Sequence, residues 1–574
     1  MFRPTSVTVR ACSRPLARPQ ISANRFAAAR RNLHSRQTTR TFLGQNGKVF
    51  GGAVVGTIAA TATILVFSGK PSVVHADAPT VNVAAHDAKR SAQHAQIQHS
   101  LSNPGVYAWG DNSGGVIDPT TNQTTIKRPI RLHFFDNKLL RDLALSTGVG
   151  AAVDDQGNVL LWGRGYSADS VTPEVTLKGK DIKQVQLSDD MVLALSKNGT
   201  LYKFPISKEL QLKNNTPEIS YHQMKPDNLG YFEKIQEIST GADHVAVLTN
   251  KGRVFSAAVS YHFPDRGQLG VPGIRWETRS KTEPIDKLHE VKGLQNITQI
   301  ASGDFHTIAL EKSGRVFSFG DNRHGQCGVD FNYQTPHREE AEEIKLSELY
   351  PLKTSLKVTK ISAGGLNSFF IVDVDDGVKP GVHVLGCGTG INGSLGNGLW
   401  THSQGPPTKL KALSDSFEYD EKLGKMVPIR LSTINTGATH SAAIMGNKTV
   451  VGSVDSDFGR DVLWWGCNEH YQLGTGKRTN SNVPVYIGAL DPNVVPPATT
   501  AEFTGSPSRG RSNQDDRTSG VIGRVEPIDS GRTSSKEQVH RFQLAPKAKT
   551  KSGQMAEQAI VCGRGNTAVF MKCA

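Results

Sequence analysis

The chain has 574 residues, with 57 glycines, 7% aromatic residues and a formal charge of +14. Glycine near one residue in ten with so few aromatics argues against a helical bundle or coiled coil and for many short strands joined by tight turns. Residues 1–70 hold eleven Lys and Arg and no acid, which leaves 55 basic against 52 acidic residues in the rest, so the charge gives the body no broad phosphate-binding surface.

Residues 1–48 are rich in Arg, Ser, Thr and Ala, with Arg10, Arg14, Arg18, Arg25, Arg30, Arg31, Arg36 and Arg40 spread along them and the first acid only at Asp77. This is the composition of a mitochondrial transit peptide, and the early apolar core of a secretory signal is missing. Residues 49–67 follow as nineteen uncharged residues, VFGGAVVGTIAATATILVF. At 1.5 Å per residue they span roughly 28 Å, which predicts a single transmembrane helix. Gly52 and Gly56 form a small-xxx-small step against which another helix could pack. Arg36, Arg40 and Lys48 precede this segment and Lys70 alone follows closely, so the positive-inside rule places the body in the intermembrane space, with the matrix as the alternative. The expectation is a single-pass protein of the mitochondrial inner membrane. Residues 68–104 read as a polar, partly helical linker.

From residue 105 onward the chain repeats itself. One element is a strand ending at Trp-Gly or its equivalent: Trp109-Gly110, Trp162-Gly163, Leu201–Phe204, Val254–Ser256, Phe319-Gly320, Leu385-Gly386 and Trp465-Gly466. A second is a small-residue turn that opens an apolar strand. It occurs at Ser146–Gly148, Ser188–Asp190, Gly241–His244, Gly303–His306, Ser362–Gly365, Gly437–His440 and Cys562–Asn566. A third follows several of the Trp-Gly strands, as Gly267-Gln268-Leu269-Gly270, Gly325-Gln326-Cys327-Gly328, Ser394-Leu395-Gly396 and Gln472-Leu473-Gly474.

These three elements in this order resemble the regulator-of-chromosome-condensation repeat family. The resemblance covers residues 105 to 574 with gaps and implies an all-β, seven-bladed β-propeller. The chain opens on a Trp-Gly strand and closes on a turn and strand at 562–570, so both termini are expected to share one blade and close the circle. Residues 497–538, rich in Ser, Arg, Gly and Pro, read as a disordered insertion. Thr335–Leu346, with Pro336 followed by an acidic run, reads as a short capped helix.

Chemistry is sparse. His244, His306 and His440 each stand three residues after a glycine in the repeat, and such a recurring histidine reads as a turn residue whose ring bonds local backbone rather than as a metal ligand. Cys327, Cys387 and Cys467 fall at related places and read as small buried residues. No catalytic residue, cofactor or metal is expected, and no Walker loop, nucleophile elbow or H-E-x-x-H is found.

Fold alone gives no function. Transit peptide, membrane span and degenerate propeller together resemble the fungal found-in-mitochondrial-proteome proteins of this repeat family. That resemblance implies a non-enzymatic, membrane-anchored scaffold for assembly of respiratory complex III (cytochrome bc1), its loops binding complex III subunits or assembly intermediates. Two alternatives stand beside it: guanine-nucleotide exchange on a mitochondrial GTPase, as the family's founding member does for a nuclear GTPase, and association with the mitochondrial ribosome or RNA.

Overall fold

The computed structural model describes residues 83–212, 219–260, 263–274, 286–332, 334–420, 423–447, 459–494 and 541–574. The expected transit peptide (1–48), the apolar segment 49–67 with Gly52 and Gly56, the first part of the linker and the insertion 497–538 lie outside the described residues.

From Val106 the chain lays down short antiparallel strands in sets of four, from an inner strand outward. One set is Ile182–Leu187, Met191–Ser196, Leu201–Pro205 and His222–Met224. The next are Ile235–Thr240, His244–Thr249, Val254–Ala258 and His289–Glu290, then Ile297–Ser302, His306–Glu311, Val316–Asp321 and His337–Glu343. The second strands are buried along most or all of their length, as in Met191–Ser196, because neighbouring sheets cover both of their faces. The inner strands alternate instead: Ile182 and Val185 are buried while Lys183, Gln184 and Gln186 are half-buried.

Neighbouring sheets share their cores. Val149, Ala151 and Leu161 of one sheet pack with Val185, Val192 and Phe204 of the next, and Val245 and Phe255 pack with Leu193 and Leu201 of the sheet before them. Each layer is sealed by its neighbour, as repeat architectures require.

The repeat motifs are the joints between these layers. Trp109 is fully buried and its indole N–H donates to Gln472 O at 2.8 Å, beneath Gly474. Trp465 donates to Ser394 O at 3.0 Å beneath Gly396 in the same way. A Cβ on Gly474 would stand 2.8 Å from the indole nitrogen, and its φ of 71° is left-handed, so glycine is required twice over. The Trp-Gly strand of one sheet thus plugs into the Gln-Leu-Gly loop of the sheet before it. Gly110, Gly320 and Gly466, with φ of 110°, 111° and 112°, mark the points where the third strand slips register against the outer one.

Several expectations are corrected. The anticipated seven-bladed propeller led by a membrane helix gives way to a mostly β structure of propeller-like repeats. Among the described residues hydrogen bonding yields one nine-stranded sheet, four of four strands, one of five and a separate two-stranded hairpin, and none of these closes on itself. The nine-stranded sheet arises because Leu140 pairs in parallel with Lys572, fusing two sets. Within it the first strand, Val106–Asp111, lies between the outer strand Thr125–Arg131 and the last strand, Asn566–Cys573. Against the expected single-pass inner-membrane placement, among the described residues no helix is long and apolar enough to cross a membrane. The expected helix at Thr335–Leu346 is a strand, His337–Glu343, because the free edge of Val316–Asp321 takes it as a fourth strand, with Phe317 opposite Glu343 and Asp321 opposite His337.

Part of the linker is the helix Val83–Ser102. Its last turns pack Ile97 and Leu101 against Leu139, Ala545, Ala556 and Met571. Gln96 donates to Arg541 O and accepts from Gln543 N–H.

Candidate functional site

The small-residue turns gather at one end of the inner strands around a cavity of about 400 Å³, lined by Thr147, Asp189, Ala242, Asp304, Gly365, Ala438 and Arg564 together with their flanking residues. Backbone bonds tie one turn to the next: Asp189 N–H to Ala242 O at 2.9 Å, Ala242 N–H to Asp304 O at 2.9 Å, and Asp304 N–H to Gly365 O at 2.7 Å. This packing explains the turn glycines. A Cβ on Gly241 would stand 2.6 Å from Gly303 O, and one on Gly303 2.6 Å from Gly365 O. Gly437 and Gly563 are hemmed in likewise, by Gly563 O and Leu145 O. These glycines serve close approach rather than positive φ.

His244, His306 and His440 are buried and open the second strands that follow these turns. Their rings reach the next sheet, which corrects the expected bond to local backbone. Nε2 of His244 pairs with the Thr307 hydroxyl at 3.0 Å, His306 with Ser368 at 2.8 Å, and His440 with Thr567 at 2.7 Å. Ser368 donates its own hydroxyl to Gln326 O and Thr567 donates to Gln472 O, so each accepts from the imidazole N–H. Nδ1 of His306 and of His440 has no hydrogen-bond partner, so a second proton there would be buried and unpaired. Burial accordingly pushes His306 and His440 down to about 3. Asn566 stands at the equivalent place and donates to Ser146 O at 2.8 Å. Trp162 and Gly163 occupy the same joint as Trp109 and Gly110, the Trp162 N–H donating to Val116 O at 2.8 Å.

Charge enters this end at three of the seven equivalent turn positions, where the others carry Thr, Ala or Gly. Arg564 reaches from the last turn to Asp304 Oδ1 at 3.2 Å and Asp189 Oδ1 at 3.4 Å, on two other sheets. Burial raises both carboxyls above the ordinary range, against the pull of Arg564. All three side chains keep solvent access, Arg564 at 47% and Asp189 at 55%. Beside them Arg266 stacks on Phe305 with 3.7 Å to the ring centre and approaches Asp321, which Arg323 also pairs. Sequence reasoning missed this triad by following the recurring histidines. The signal was present, since aligning the turns leaves Asp189, Asp304 and Arg564 as the charged exceptions at one position.

Cys327, Cys387 and Cys467 are buried, and burial pushes their thiols up, strongly so for Cys327 and Cys387. Among the described residues no three His, Cys, Asp or Glu side chains are grouped to hold a metal ion.

Models of the regulator of chromosome condensation (RCC1) repeat match residues 297–326, 313–371 and 461–500. The chain is 24% identical over 426 residues to "Protein FMP25, mitochondrial" of Saccharomyces cerevisiae, covering 67% of this chain and 65% of that protein. It is 24% identical over 320 residues to the "Ultraviolet-B receptor UVR8" of Arabidopsis thaliana, covering 53% and 64%. The chain therefore spans just under two thirds of the length of these two relatives. Among solved structures, yeast RCC1 (Prp20) bound to Kap60 aligns with TM-score 0.51 at 18% identity, over 84% of this chain and 92% of that one. Human WBSCR16 aligns with TM-score 0.52 at 16% identity, over 82% and 99%. A second structure of Prp20p, described with its binding to Gsp1p and histones, aligns with TM-score 0.51. The chain carries RCC1 repeats at the matched residues and has the RCC1 fold.

These likenesses overturn the expected role as a membrane-anchored assembly factor for complex III, and complex III subunits as its partners. The aligned yeast structures concern Kap60, Gsp1p and histones rather than the cytochrome bc1 complex.

Proposed function

We propose that this protein is a non-enzymatic protein-binding scaffold whose turn face docks a guanine-nucleotide-binding protein and speeds release of its nucleotide. One observation carries the reading: Arg564, Asp189 and Asp304 cluster at the one end where every turn converges, and all three remain accessible. An accessible ion pair of this kind is worth about 1 kcal/mol or less, so opening it is cheap. A partner can take Arg564 for its own acid, or place a cation on the two aspartates, without unfolding the scaffold. Faster nucleotide release follows if the scaffold binds the empty partner more tightly than the loaded one. The likeness to Prp20p, described with its binding to Gsp1p, supports the partner class.

The test is release of fluorescent GDP from a panel of purified small GTPases, with and without this protein. Acceleration of one GTPase is expected, reduced by Arg564→Ala and Asp304→Asn while the scaffold's thermal transition stays in place. A folded scaffold that neither binds nor accelerates any member refutes the reading. The acid-free composition of residues 1–48 and the name of the yeast relative support delivery to mitochondria. Fusion of residues 1–48 to a cytosolic reporter tests this, and a reporter left in the cytosol counts against it.

A further inference from the structure

The inner strands have a free backbone edge, and side chains of the preceding sheet serve it. Gln184 donates Nε2–H to Ile238 O at 2.9 Å, and its Oε1 accepts from Ile238 N–H at 3.2 Å. Gln299 makes the same pair with Ile361, at 3.0 and 3.1 Å. An amide can do this because it carries one donor and one acceptor side by side. Asp142, Gln184, Glu237, Gln299 and Lys360 hold one equivalent position, each just after the register shift of its inner strand. They surround the end of the inner strands away from the turns, where a second cavity of about 580 Å³ is lined by Asp142, Gln184, Glu237 and Gln299 among others.

Two of these positions, Asp142 and Glu237, hold an acid where Gln184 and Gln299 place an amide. Asp142 already accepts from Val185 N–H at 2.9 Å, half of the amide's pair. A carboxylic acid matches the amide, with O–H in place of N–H, whereas a carboxylate has acceptors only. We propose that Asp142 and Glu237 are proton-operated staples: protonated, they make the two-way bond that Gln184 and Gln299 make to the next inner strand, and ionised they lose its donor half.

Burial pushes Glu237 up to about 7 and Asp142 up to about 6. Opposing charge is thin. Lys183 faces Glu237 but is itself held by Gln236 O and repelled by Lys234, and Lys572 faces Asp142. Arg460 and Glu557 line the same cavity, and Lys360 donates to Ser432 O. An acid raised in the folded state contributes stability that is complete below its unfolded value and is lost as pH rises through the folded one. For Glu237 that window is about pH 4.5 to 7.

The test is denaturant unfolding of the full chain from pH 5 to 8.5. Glu237→Gln is expected to lower the unfolding equilibrium constant about tenfold at pH 8.5, the worth of one hydrogen bond, and to leave it near the wild-type value at pH 5. The converse variant, Gln299→Glu, should weaken the fold at pH 8.5 and recover at pH 5. Curves for Glu237→Gln that stay parallel to wild type at every pH, or a Gln299→Glu penalty independent of pH, overturn the proposal.

Discussion

Replacing His440 by asparagine separates what its imidazole does for packing from what it does by staying neutral. His440 is buried, with Nε2–H spent on Thr567 and Nδ1 unpartnered, so the folded state resists a second proton. Its value falls from the ordinary 6.5 to about 3 through burial. The unfolded chain therefore takes up a proton that the folded chain refuses. The stability this gives is complete above pH 6.5 and is lost as pH falls toward 3. Between pH 7.5 and 5.5 the loss comes to about 1.4 kcal/mol for His440 and the same for His306, whose value also lies near 3. Glu237 and Asp142 run in the opposite sense over this range, so the wild-type curve alone decides nothing. The difference curve does. Asparagine occupies the equivalent position at Asn566 and can serve the joint without titrating. His440→Asn is expected to cost about 1–2 kcal/mol at pH 7.5, from one lost hydrogen bond and imperfect packing, and correspondingly less at pH 5.5 as the 1.4 kcal/mol proton penalty disappears. The assay is urea unfolding followed by tryptophan fluorescence at both values. A stability gap that is the same at pH 7.5 and 5.5 would refute a buried neutral imidazole.

Other consequences follow from the joints. Trp109→Ala removes a fully buried indole and its bond to Gln472 O, and should cost about 3–5 kcal/mol in equilibrium unfolding. Gly365→Ala places a Cβ onto Ala438 O at a φ of 53°, and should cost at least about 2 kcal/mol, while Gly488→Ala, with nothing within 4 Å, should be near neutral. A chain ending at residue 554 loses Met555–Cys562 and Asn566–Cys573, leaves Val106–Asp111 without its inner partner, and should show no cooperative unfolding transition by calorimetry.

The repeat elements were legible because each is a local solution to a local problem. A Trp-Gly pair needs a side chain to bury and a residue that tolerates left-handed φ, and both are visible in composition. What periodicity withholds is which copy meets which. Trp109 and Gly474 are 365 positions apart, and nothing in either motif says that one sheet's tryptophan fills the loop of the sheet before it. The histidines failed for the same reason: a recurring position looks like a device of the turn itself, whereas the bond crosses to Thr307, Ser368 or Thr567. At Thr335–Leu346 the acidic run and Pro336 favour a helix start, but the unpaired edge of Val316–Asp321 outweighs local propensity.

The departures from the repeat carry more about function than the repeat does. Where several sheets meet the same need, the chain repeats a residue: glycine at turn-to-turn contacts, a buried imidazole or amide at cross-sheet bonds, and glutamine at two of the inner-edge positions, Gln184 and Gln299. A residue that breaks such a rule is either tolerated or used. Asp189, Asp304 and Arg564 replace small residues but satisfy one another across three sheets, so their charge is held at the surface at little cost to the fold. Asp142 and Glu237 stand where Gln184 and Gln299 place an amide, and burial penalises their charge. The first set makes one end of the structure a charged face open to a partner. The second makes the other end sensitive to protons in the neutral range. Because the inner strands run from one end to the other, a partner that pries the turns apart works against the same strands that the acids staple. Exchange activity and the pH-dependent tightening of those strands should therefore be coupled. If both proposals hold, Glu237→Gln will weaken the pH dependence of nucleotide release as well as that of unfolding. Loss of the second effect alone, with release still following pH as in the wild type, would place the two devices on independent parts of the fold.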